Sequence, residues 1–416
     1  MLARVRWVPV LFVSFAFVMT AAAARAATDW PQYRGPHRDG VSGETGLLKR
    51  WPEKGPGVVW RKKIGDGFSS IVVSGGRLFT MDSDAESEVA VCLEIASGKD
   101  IWRTTLDKRF VEEFGDGPRA TPVVDGDLMF NLTSYGKLFA LKTSDGSKVW
   151  DVDIIATFGG RQQGRGAGST PIVEGDLLIL EGGGTEGKAI QALDKRTGAT
   201  KWTSQNGPAG YASPIAVTID GTRQIIFART GTGEIVSLLP DGTLAWSHKW
   251  VGGVIAMPVF VAPNRIFASA ADDAGSTLIE VLKQDGKFVP KEVWSSRSMK
   301  NHFNSSVLVG DHLYGFDNAT LKCISIVTGE QKWVQRGFGK GSLIAADGML
   351  VVLGDQGLLA LAEAVPDGYH ERGRFSPLTG KTWTAPSLSG GRLYLRDQDE
   401  LVSINLTGAG KSGAGM

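Results

Sequence analysis

Two cysteines and five histidines are the side chains of this 416-residue chain that most readily bind a transition metal or act as nucleophiles. Cys92 and Cys323 lie far apart in the sequence, and no two histidines have a spacing typical of a zinc site. The chain has no adjacent cysteine pair, no C-x-x-C-H haem attachment sequence and no G-x-S-x-G nucleophile elbow. This pattern favours a non-enzymatic role, and we assign no catalytic residue and no metal ligand.

The first 26 residues have the features of an export signal. Arg4 and Arg6 give a positive start, residues 7–19 are apolar, and an Ala-x-Ala sequence at 24–26 offers a cleavage site. We therefore predict a signal peptide at 1–26 and a periplasmic or secreted mature protein that has no membrane span. An uncleaved anchor stays open as the alternative, because the apolar stretch continues through alanines and approaches the length of a membrane helix.

Net charge argues against two kinds of partner. Removing residues 1–26 takes away three arginines and leaves 42 basic against 44 acidic residues. Such a chain has no basic footprint for nucleic acid and no strong attraction to an anionic membrane surface. We expect a monomer whose partner is a protein or peptide, or a small polar ligand.

Seven tryptophans recur along the chain at a nearly regular interval. Neighbouring members lie 39 to 52 residues apart, and Phe375 continues the series after another 42. Periods of about 40–50 residues with strand signals are typical of β-propellers. A large aromatic residue at one position per repeat predicts packing between neighbouring repeats. The seven are Trp60, Trp102, Trp150, Trp202, Trp246, Trp294 and Trp333.

Turn sequences divide each repeat into strands. A glycine lies four residues before the tryptophan in five copies, as in SGKDIW and DGTLAW, and it suits a tight hairpin because glycine accepts positive φ. Upstream, β-branched residues, an Asx or Gly turn and a second apolar run recur, as in ATPVVDGDLMF. The sequence therefore predicts an all-β fold, an eight-bladed β-propeller of four-stranded antiparallel blades over residues 57–406.

The two ends of this repeat array complete each other. The last unit, from Trp383 to Leu406, has three strands and no tryptophan of its own, whereas Trp60 belongs to an outer strand that no other strand precedes. An N-terminal strand should therefore close the ring, since an open sheet edge is unfavourable. Without that closure, seven blades would remain. Residues 27–56 are predicted to be an extension that packs on the propeller, and residues 407–416 a flexible tail.

The stretch ALDKRTGATKW at residues 192–202 resembles the docking motif A-x-D-x-x-T-G-x-x-x-W of pyrroloquinoline-quinone (PQQ) dehydrogenase propellers and their non-enzymatic relatives. Weaker copies lie at 92–102, 140–150 and 323–333, and the opening DWPQYRGPHRDG resembles a bacterial branch of PQQ-like propeller proteins. The resemblance implies tryptophans that dock between blades, and it leaves PQQ with Ca²⁺ open as a cofactor. The dehydrogenases of the family use an adjacent-cysteine disulfide, which this chain lacks, so alcohol oxidation is disfavoured.

The two cysteines occupy the first position of the docking motif in two different repeats. Equivalent positions in repeats several blades apart cannot approach to the roughly 7 Å between Cα atoms that a disulfide requires. We predict that Cys92 and Cys323 are free, buried thiols that pack as small hydrophobic side chains.

Propeller geometry indicates where binding residues would gather. The loops leading into the innermost strands and the loops joining the second strand to the third meet at one end of the channel, and converging loops on a rigid scaffold concentrate binding residues. The arginines would suit a carboxylate, and Trp383 could stack on a sugar. Alternatively, these side chains pair with each other and fill the channel. The candidate rim residues are Arg119, Arg229, His302, Trp383 and Arg396.

Three functions remain open at this stage. The first is an exported scaffold that binds a protein, a peptide or a small ligand at the channel rim without catalysis. The second is a PQQ-dependent, dehydrogenase-like oxidoreductase, supported by the docking motif and the polar rim. The third is a carbohydrate-binding periplasmic protein.

Overall fold

A computed structural model of the protein describes residues 29–253, 255–271 and 274–408. The predicted signal peptide and residues 409–416 of the predicted tail lie outside the described residues. The described chain forms eight antiparallel sheets around a central channel, which confirms the predicted eight-bladed propeller. Two strands precede the first blade, β1 (Val41–Ser42) and β2 (Val58–Lys63).

Blades one to four follow the chain, with the innermost strand first in each. They consist of β3 (Val72–Ser74), β4 (Arg77–Ser83), β5 (Ser87–Glu94) and β6 (Asp100–Lys108); β7 (Val123–Asp125), β8 (Leu128–Leu132), β9 (Lys137–Lys142) and β10 (Lys148–Asp153); β11 (Ile172–Glu174), β12 (Leu177–Glu181), β13 (Ile190–Asp194) and β14 (Thr200–Ser204); and β15 (Ile215–Ile219), β16 (Thr222–Arg229), β17 (Glu234–Leu238) and β18 (Leu244–Lys249). A short helix, α1 (Ile154–Phe158), follows β10.

Blades five to eight repeat this order, and the last blade borrows a strand from the beginning of the chain. They consist of β19 (Val259–Val261), β20 (Arg265–Ala270), β21 (Gly275–Gln284) and β22 (Lys287–Ser296); β23 (Val307–Val309), β24 (His312–Asp317), β25 (Thr320–Ser325) and β26 (Gln331–Gln335); β27 (Ser342–Ala346), β28 (Met349–Leu353), β29 (Leu359–Glu363) and β30 (Glu371–Phe375); and β31 (Ser387–Ser389), β32 (Arg392–Arg396) and β33 (Glu400–Asn405) with β2 as the fourth strand.

The middle strands of the blades have mostly apolar sequences because they are buried. Every residue of β8 and β28 is buried, because neighbouring blades cover both faces of these strands. The outermost strand β10 instead alternates exposed positions with a buried tryptophan. Among the described residues, no helix has the length and apolar character required to cross a membrane.

The periodic tryptophans dock on the next blade. Trp60 donates from Nε1 to the carbonyl of Ile95 (3.1 Å), and its ring covers Gly98, where an added Cβ would lie 2.8 Å from the ring. Only glycine fits beneath the indole, which explains the fixed Gly-to-Trp spacing of the repeat. The same contact joins Trp102 to Gly146, Trp150 to Gly198, Trp202 to Gly242 and Trp294 to Gly329.

Trp246 is an exception with a structural cause. The β21–β22 hairpin of the next blade is much longer than the other outer hairpins. Trp246 donates instead to the Gln224 side chain of its own blade, at 2.7 Å. Trp333 donates to the Val365 carbonyl of the following blade (2.9 Å), so the interblade contact resumes there.

The ring closes as predicted. The N-terminal strand β2 pairs antiparallel with β33 and supplies the outer strand of blade eight. Phe375 takes the tryptophan position at the end of blade seven and covers Gly55, just before β2. Since the first and last parts of the chain share one sheet, no blade has to end in an open edge at the seam.

Residues 29–44, which we call the channel plug, run into the central channel. Trp30 exchanges two backbone hydrogen bonds with Val73 on the free edge of β3 (2.8 and 3.0 Å), and the carbonyl of Pro31 accepts from Val124 of β7 (2.9 Å). The chain then turns, and β1 leaves beside β27 as a parallel pair. These contacts satisfy backbone groups on inner edges that would otherwise lack partners.

The plug enters and leaves at the same end of the channel. The Asp29 carboxylate accepts from Ser74 in the β3–β4 turn (3.0 Å), and Glu44 accepts from two amides of the β31–β32 turn. We call this the far end, and we call the opposite end, where loops lead into the innermost strands, the rim end. The turn of the plug at residues 33–38 therefore lies deepest in the channel, towards the rim end.

Cys92 and Cys323 are both free and buried, as the sequence predicted. Burial raises the pKa of each thiol to about 11. Each side chain packs in a different hydrophobic cluster, consistent with a small hydrophobic residue at the first position of the docking motif.

Candidate functional site

A blind cavity of about 400 Å³ occupies the rim end of the channel. Its walls are the loops that lead into the innermost strands of several blades, and its floor is Tyr33 of the channel plug. The plug that carries Tyr33 lies in the channel behind the cavity, between the cavity and the far end. A concave space of this size, lined by aromatic and a few polar groups, is typical of small-ligand sites.

One wall of the cavity is an aromatic cluster around Trp383. The ring of Phe303 lies 4.8 Å from that of Trp383, Phe68 lies 5.6 Å away in a stacked arrangement, and Phe114 lies 6.3 Å away. Lys381 holds the cluster together from outside, since its ammonium group lies 4.5 Å from the Trp383 ring and donates to the Phe114 carbonyl at 2.6 Å. This wall joins rings from widely separated parts of the chain.

Two arginines lie at the cavity wall on either side of these rings. Arg119 donates to Glu112 (2.7 Å), and its guanidinium carbon lies 5.1 Å from the centre of the Phe68 ring. Arg165 is exposed and lies 4.1 Å from the centre of the Phe114 ring. Arg119 also donates to the carbonyls of Gly115, Gly117 and Arg165, so its guanidinium group is largely used within the protein. The exposed guanidinium of Arg165 over an aromatic face is the one with N–H groups available to an acceptor.

A chain of hydroxyl groups runs along the cavity wall from blade to blade. The Ser70 amide donates to the Thr121 hydroxyl (3.0 Å), the Thr121 amide to the Thr170 hydroxyl (3.1 Å), and the Thr170 amide to Ser213 (2.8 Å). These four side chains line the cavity. The repeated contact sets the spacing of the loops and places polar groups at one level of the channel.

The structure brings three of the five candidate rim residues to the cavity, and it places the other two elsewhere. Arg119, His302 and Trp383 line the cavity. Arg229 lies inside the protein wall, where its Nε donates to Glu181 at 2.6 Å and both side chains are 1% exposed. Burial raises the pKa of Glu181, and the Arg229 charge opposes that rise. The buried ion pair takes up the guanidinium that the sequence suggested for a ligand.

Arg396 braces two blades instead of facing a ligand. It is fully buried and donates to the carbonyls of Met81 (2.8 Å) and Gly65 (2.7 Å), across the seam between blades eight and one. Burial lowers its pKa to about 10. These contacts correspond to the alternative weighed for the rim arginines, namely that they pair within the protein.

Tyr33, Phe303 and the hydroxyl chain are the parts of the cavity that the sequence analysis did not identify. The hydroxyl positions do carry a signal, since Thr121, Thr170 and Ser213 each precede a proline at the start of an innermost strand. Tyr33 carries no comparable signal, because it lies outside the repeat and reaches the cavity only through the path of the plug.

A buried carboxyl group lies one layer behind the wall. Glu88 of β5 accepts from the Ser134 amide (2.9 Å), while its Oε1 atom has no hydrogen-bond partner among the described residues. Burial raises its pKa to about 7, against the effects of Ser134 and Arg119. Glu88 therefore changes charge near neutral pH, close to the loops that carry the cavity.

Possible metal donors are scattered among the described residues. The part of the chain that the structure describes contains no cluster of three or more His, Cys, Asp or Glu side chains arranged to hold a metal ion. At the cavity wall, Glu112 is the carboxylate, and Arg119 already binds it.

Comparison with known proteins places this fold in a family. Residues 46–189, 113–249 and 186–295 each match the family model described as outer membrane protein assembly factor BamB. Together these matches span more than half of the chain. A search of curated protein sequences gave no match.

Solved structures share the fold at low sequence identity. BamB from Moraxella catarrhalis is similar with a TM-score of 0.60 and 18% identity, over 84% of this chain and 97% of that one. The quinohemoprotein alcohol dehydrogenase from Comamonas testosteroni is similar with a TM-score of 0.61 and 13% identity, over 93% of this chain and 82% of that one. The computationally designed Ika8 protein is similar with a TM-score of 0.59 and 12% identity, over 83% of this chain and 99% of that one.

These likenesses establish the architecture, and they leave the activity to the site, since one propeller fold hosts many functions. The docking tryptophans, the eight blades and the matched residues agree with each other. The protein therefore belongs to the family of PQQ-like β-propellers described as outer membrane protein assembly factor BamB.

Proposed function

We propose that this chain is an exported binding propeller that takes a small ligand into the rim-end cavity and does not catalyse a reaction on it. The observation that carries this proposal is the blind cavity closed by Tyr33. An open channel would bind a small ligand weakly, whereas a closed floor lets the protein surround most of the ligand's surface.

The lining supports a ligand that has both a flat and a polar part. The Trp383 and Phe303 rings offer broad apolar faces, and Thr121, Thr170 and Ser213 add hydroxyl groups to the same lining. A few fixed polar groups among aromatic walls orient a ligand without changing it chemically. Glu112, the acid at the wall, is held in an ion pair with Arg119, which does not favour a role in proton transfer.

A quinone-dependent oxidoreductase is the second candidate, favoured by the flat rings and guanidinium groups in a fold shared with a quinohemoprotein dehydrogenase. Trp383, Phe303 and Arg165 would hold a flat polycarboxylate such as PQQ, which when bound supplies two-electron redox chemistry. The Ca²⁺ ion that would accompany PQQ fits less well, because Glu112, the carboxylate at the cavity wall, is already bound to Arg119. We derive no catalytic step from this arrangement.

A protein partner is the third candidate, and it follows from the family. The family model is described as an assembly factor for outer membrane proteins. A protein or peptide could insert one side chain into the same cavity, so the cavity does not by itself separate a peptide from a free small molecule. Export of the chain to the periplasm or beyond belongs to this proposal as well, and it rests on the sequence of residues 1–26.

Titration of the purified protein from residue 27 onward tests the proposal. The probes are PQQ with Ca²⁺, maltotriose and 2-naphthoate, followed by tryptophan fluorescence and calorimetry, with a dye-reduction assay on every mixture. Trp383→Ala removes the central ring of the aromatic wall. Trp250→Ala is the matched control, since Trp250 is also half-buried and does not line the cavity.

Saturable binding of at least one probe that is lost in Trp383→Ala and retained in Trp250→Ala supports the proposal. Binding accompanied by dye reduction would overturn the non-catalytic part and make the protein an oxidoreductase. Absence of saturable binding for all three probes up to millimolar concentration would overturn the small-ligand part, and it would leave a protein partner to be sought by co-purification.

A further inference from the structure

The floor of the cavity is built from outside the propeller repeat. Tyr33 lines the cavity, and the plug that carries it then places Arg34 and Arg38 in the channel, 2% and 3% exposed. The innermost wall of the cavity is thus a phenol with two buried guanidinium groups next to it in the same turn. No repeat-based reasoning assigns a role to these three residues.

The guanidinium groups of Arg34 and Arg38 are hydrogen-bonded to neutral groups. Arg34 donates to the carbonyls of Ser305 (3.0 Å) and Ser306 (2.7 Å), and Arg38 donates to the carbonyl of Thr170 (3.0 Å). Within the described ranges, neither forms an ion pair with a carboxylate, and Nε of each lacks a hydrogen-bond partner. A buried charge with neutral partners keeps a strong field, because little water is present to screen it.

That field reaches the floor of the cavity. Burial raises the pKa of Tyr33, and the charges of Arg34 and Arg38 oppose this rise, so both guanidinium groups act on the phenol. A negative group of a ligand placed beside the phenol would feel the same attraction. The hydroxyl of a tyrosine can also donate a hydrogen bond to such a group.

The aromatic wall of the cavity favours a ligand with an apolar or aromatic body. Phe303 and Trp383 also line the cavity and present an apolar surface, with ring centres 4.8 Å apart. We propose that the cavity selects a small carboxylate with an apolar or aromatic body, oriented with its charge at the Tyr33 floor and its body against Trp383. This inference rests on the proposed function, and it adds the chemical class and the orientation of the ligand.

The experiment compares an acid with its neutral analogue. The affinities of 2-naphthoate and 2-naphthalenemethanol, which share one aromatic body, are measured by calorimetry on the chain from residue 27 onward. We expect the acid to bind at least about tenfold more tightly than the alcohol. The ratio of the two affinities is the readout, because general damage to the cavity would weaken both compounds together.

Variants locate the charge that produces this ratio. Arg38→Gln should reduce it by about threefold or more while changing the affinity of the alcohol little, and Arg38→Lys should retain it. Arg165→Gln, at the opening of the cavity, should leave most of the ratio in place. Arg196→Gln is the surface control, since Arg196 is 59% exposed and pairs with Asp127.

The outcomes separate the two proposals. Equal binding of acid and alcohol to the unmodified protein overturns this inference and leaves the binding function standing. A ratio that falls in Arg165→Gln and not in Arg38→Gln also overturns it, because the carboxylate would then lie at the opening. Failure of both compounds to bind overturns the inference together with the small-ligand function. If Arg38→Gln does not fold, the ratio in Arg165→Gln still decides, because a fall in that ratio places the carboxylate at the opening and overturns the inference.

Discussion

The two ends of the central channel differ, because one is filled by the plug and the other contains a cavity. From the far end up to the cavity the plug fills the channel, and its backbone and arginines satisfy groups on the inner strands and on the loops that lead into them. At the rim end the loops stop short of each other, and half-buried rings and cations surround a cavity of about 400 Å³. The same eight blades therefore carry a packed end and an open end.

This contrast separates stability from binding within one scaffold. Arg34 and Arg38 of the plug are buried and hydrogen-bonded to several blades, so their loss should weaken the fold. Side chains at the rim end have fewer contacts, so their loss should affect a ligand more than the fold. Tyr33 belongs to both, because it packs against the core of blades four and five and lines the cavity.

Arg34→Met should have the largest effect on stability. The substitution removes three donors and leaves the buried carbonyls of Ser305 and Ser306 without their partner, which costs about 3 kcal/mol in the free energy of unfolding. Urea unfolding measures this loss. Arg196→Met, at an exposed ion pair, should change the same quantity by less than about 0.5 kcal/mol. Equal effects of the two substitutions would contradict the tight packing of the plug in the channel.

Gly40→Ala tests the backbone of the plug. Gly40 has φ +76°, and an added Cβ would lie 2.6 Å from the Arg34 guanidinium, so we expect a loss of roughly 2 kcal/mol. Gly43→Ala is the matched control, because no atom lies within 4 Å of its Cβ position and its φ is not in the left-handed region. Thermal unfolding compares the two, and a Gly40→Ala protein as stable as Gly43→Ala would show that the plug is loosely held.

Glu88→Gln should remove a pH dependence of the free energy of unfolding that arises near the rim end. The carboxyl of Glu88 has a folded-state pKa of about 7, above its ordinary value of 4.5, so the folded protein binds this proton more tightly than the unfolded chain. The free energy of unfolding should therefore fall as pH rises from about 4.5 to about 7, by up to about 3 kcal/mol, and then level off. Glu88→Gln should remove this fall and be the more stable protein at pH 8.

Unfolding in urea across pH 4.5–8 checks that prediction. Glu112→Gln serves as the comparison, since Glu112 is paired with Arg119 and should not reproduce the effect. A wild-type curve without a downward slope in this range would show that Glu88 is charged in the folded protein throughout.

Trp383→Ala should have the smallest effect on stability and a large one on binding. Its ring is half-buried and contacts three other rings, so we expect a loss of about 1 kcal/mol in the free energy of unfolding. Binding of 2-naphthoate should fall by at least about tenfold. Urea unfolding and calorimetry measure the two effects on the same variant. A larger loss of stability in Trp383→Ala than in Arg34→Met would contradict the contrast between the plug and the cavity.

The repeat made much of the fold predictable. The Gly-to-Trp spacing reported the docking contact itself, because each indole covers the glycine of the next hairpin, as Trp60 covers Gly98. The unmatched strand around Trp60 and the three-stranded last unit together predicted the closure that β2 and β33 make. Trp246 has the same local sequence and a different partner, since its environment depends on the length of a hairpin in the following blade.

The site was predictable only in outline. Arg119, Arg229 and Arg396 follow from the same geometric argument, yet only Arg119 lines the cavity. Arg229 pairs with Glu181, which comes from a strand of the preceding blade, and Arg396 donates to carbonyls of blade one. The direction of a long side chain depends on such neighbours, and these are distant in the sequence.

By itself, therefore, the sequence determined the repeat, the number of blades, the closing strand and the free state of the two cysteines. All of these follow from local spacing and from one contact that recurs between adjacent repeats. The tertiary structure alone decided that the plug enters the channel, that Tyr33 forms a floor, and that Phe303 meets Trp383. Those contacts are made once and join segments far apart in the chain, so no periodic pattern could indicate them.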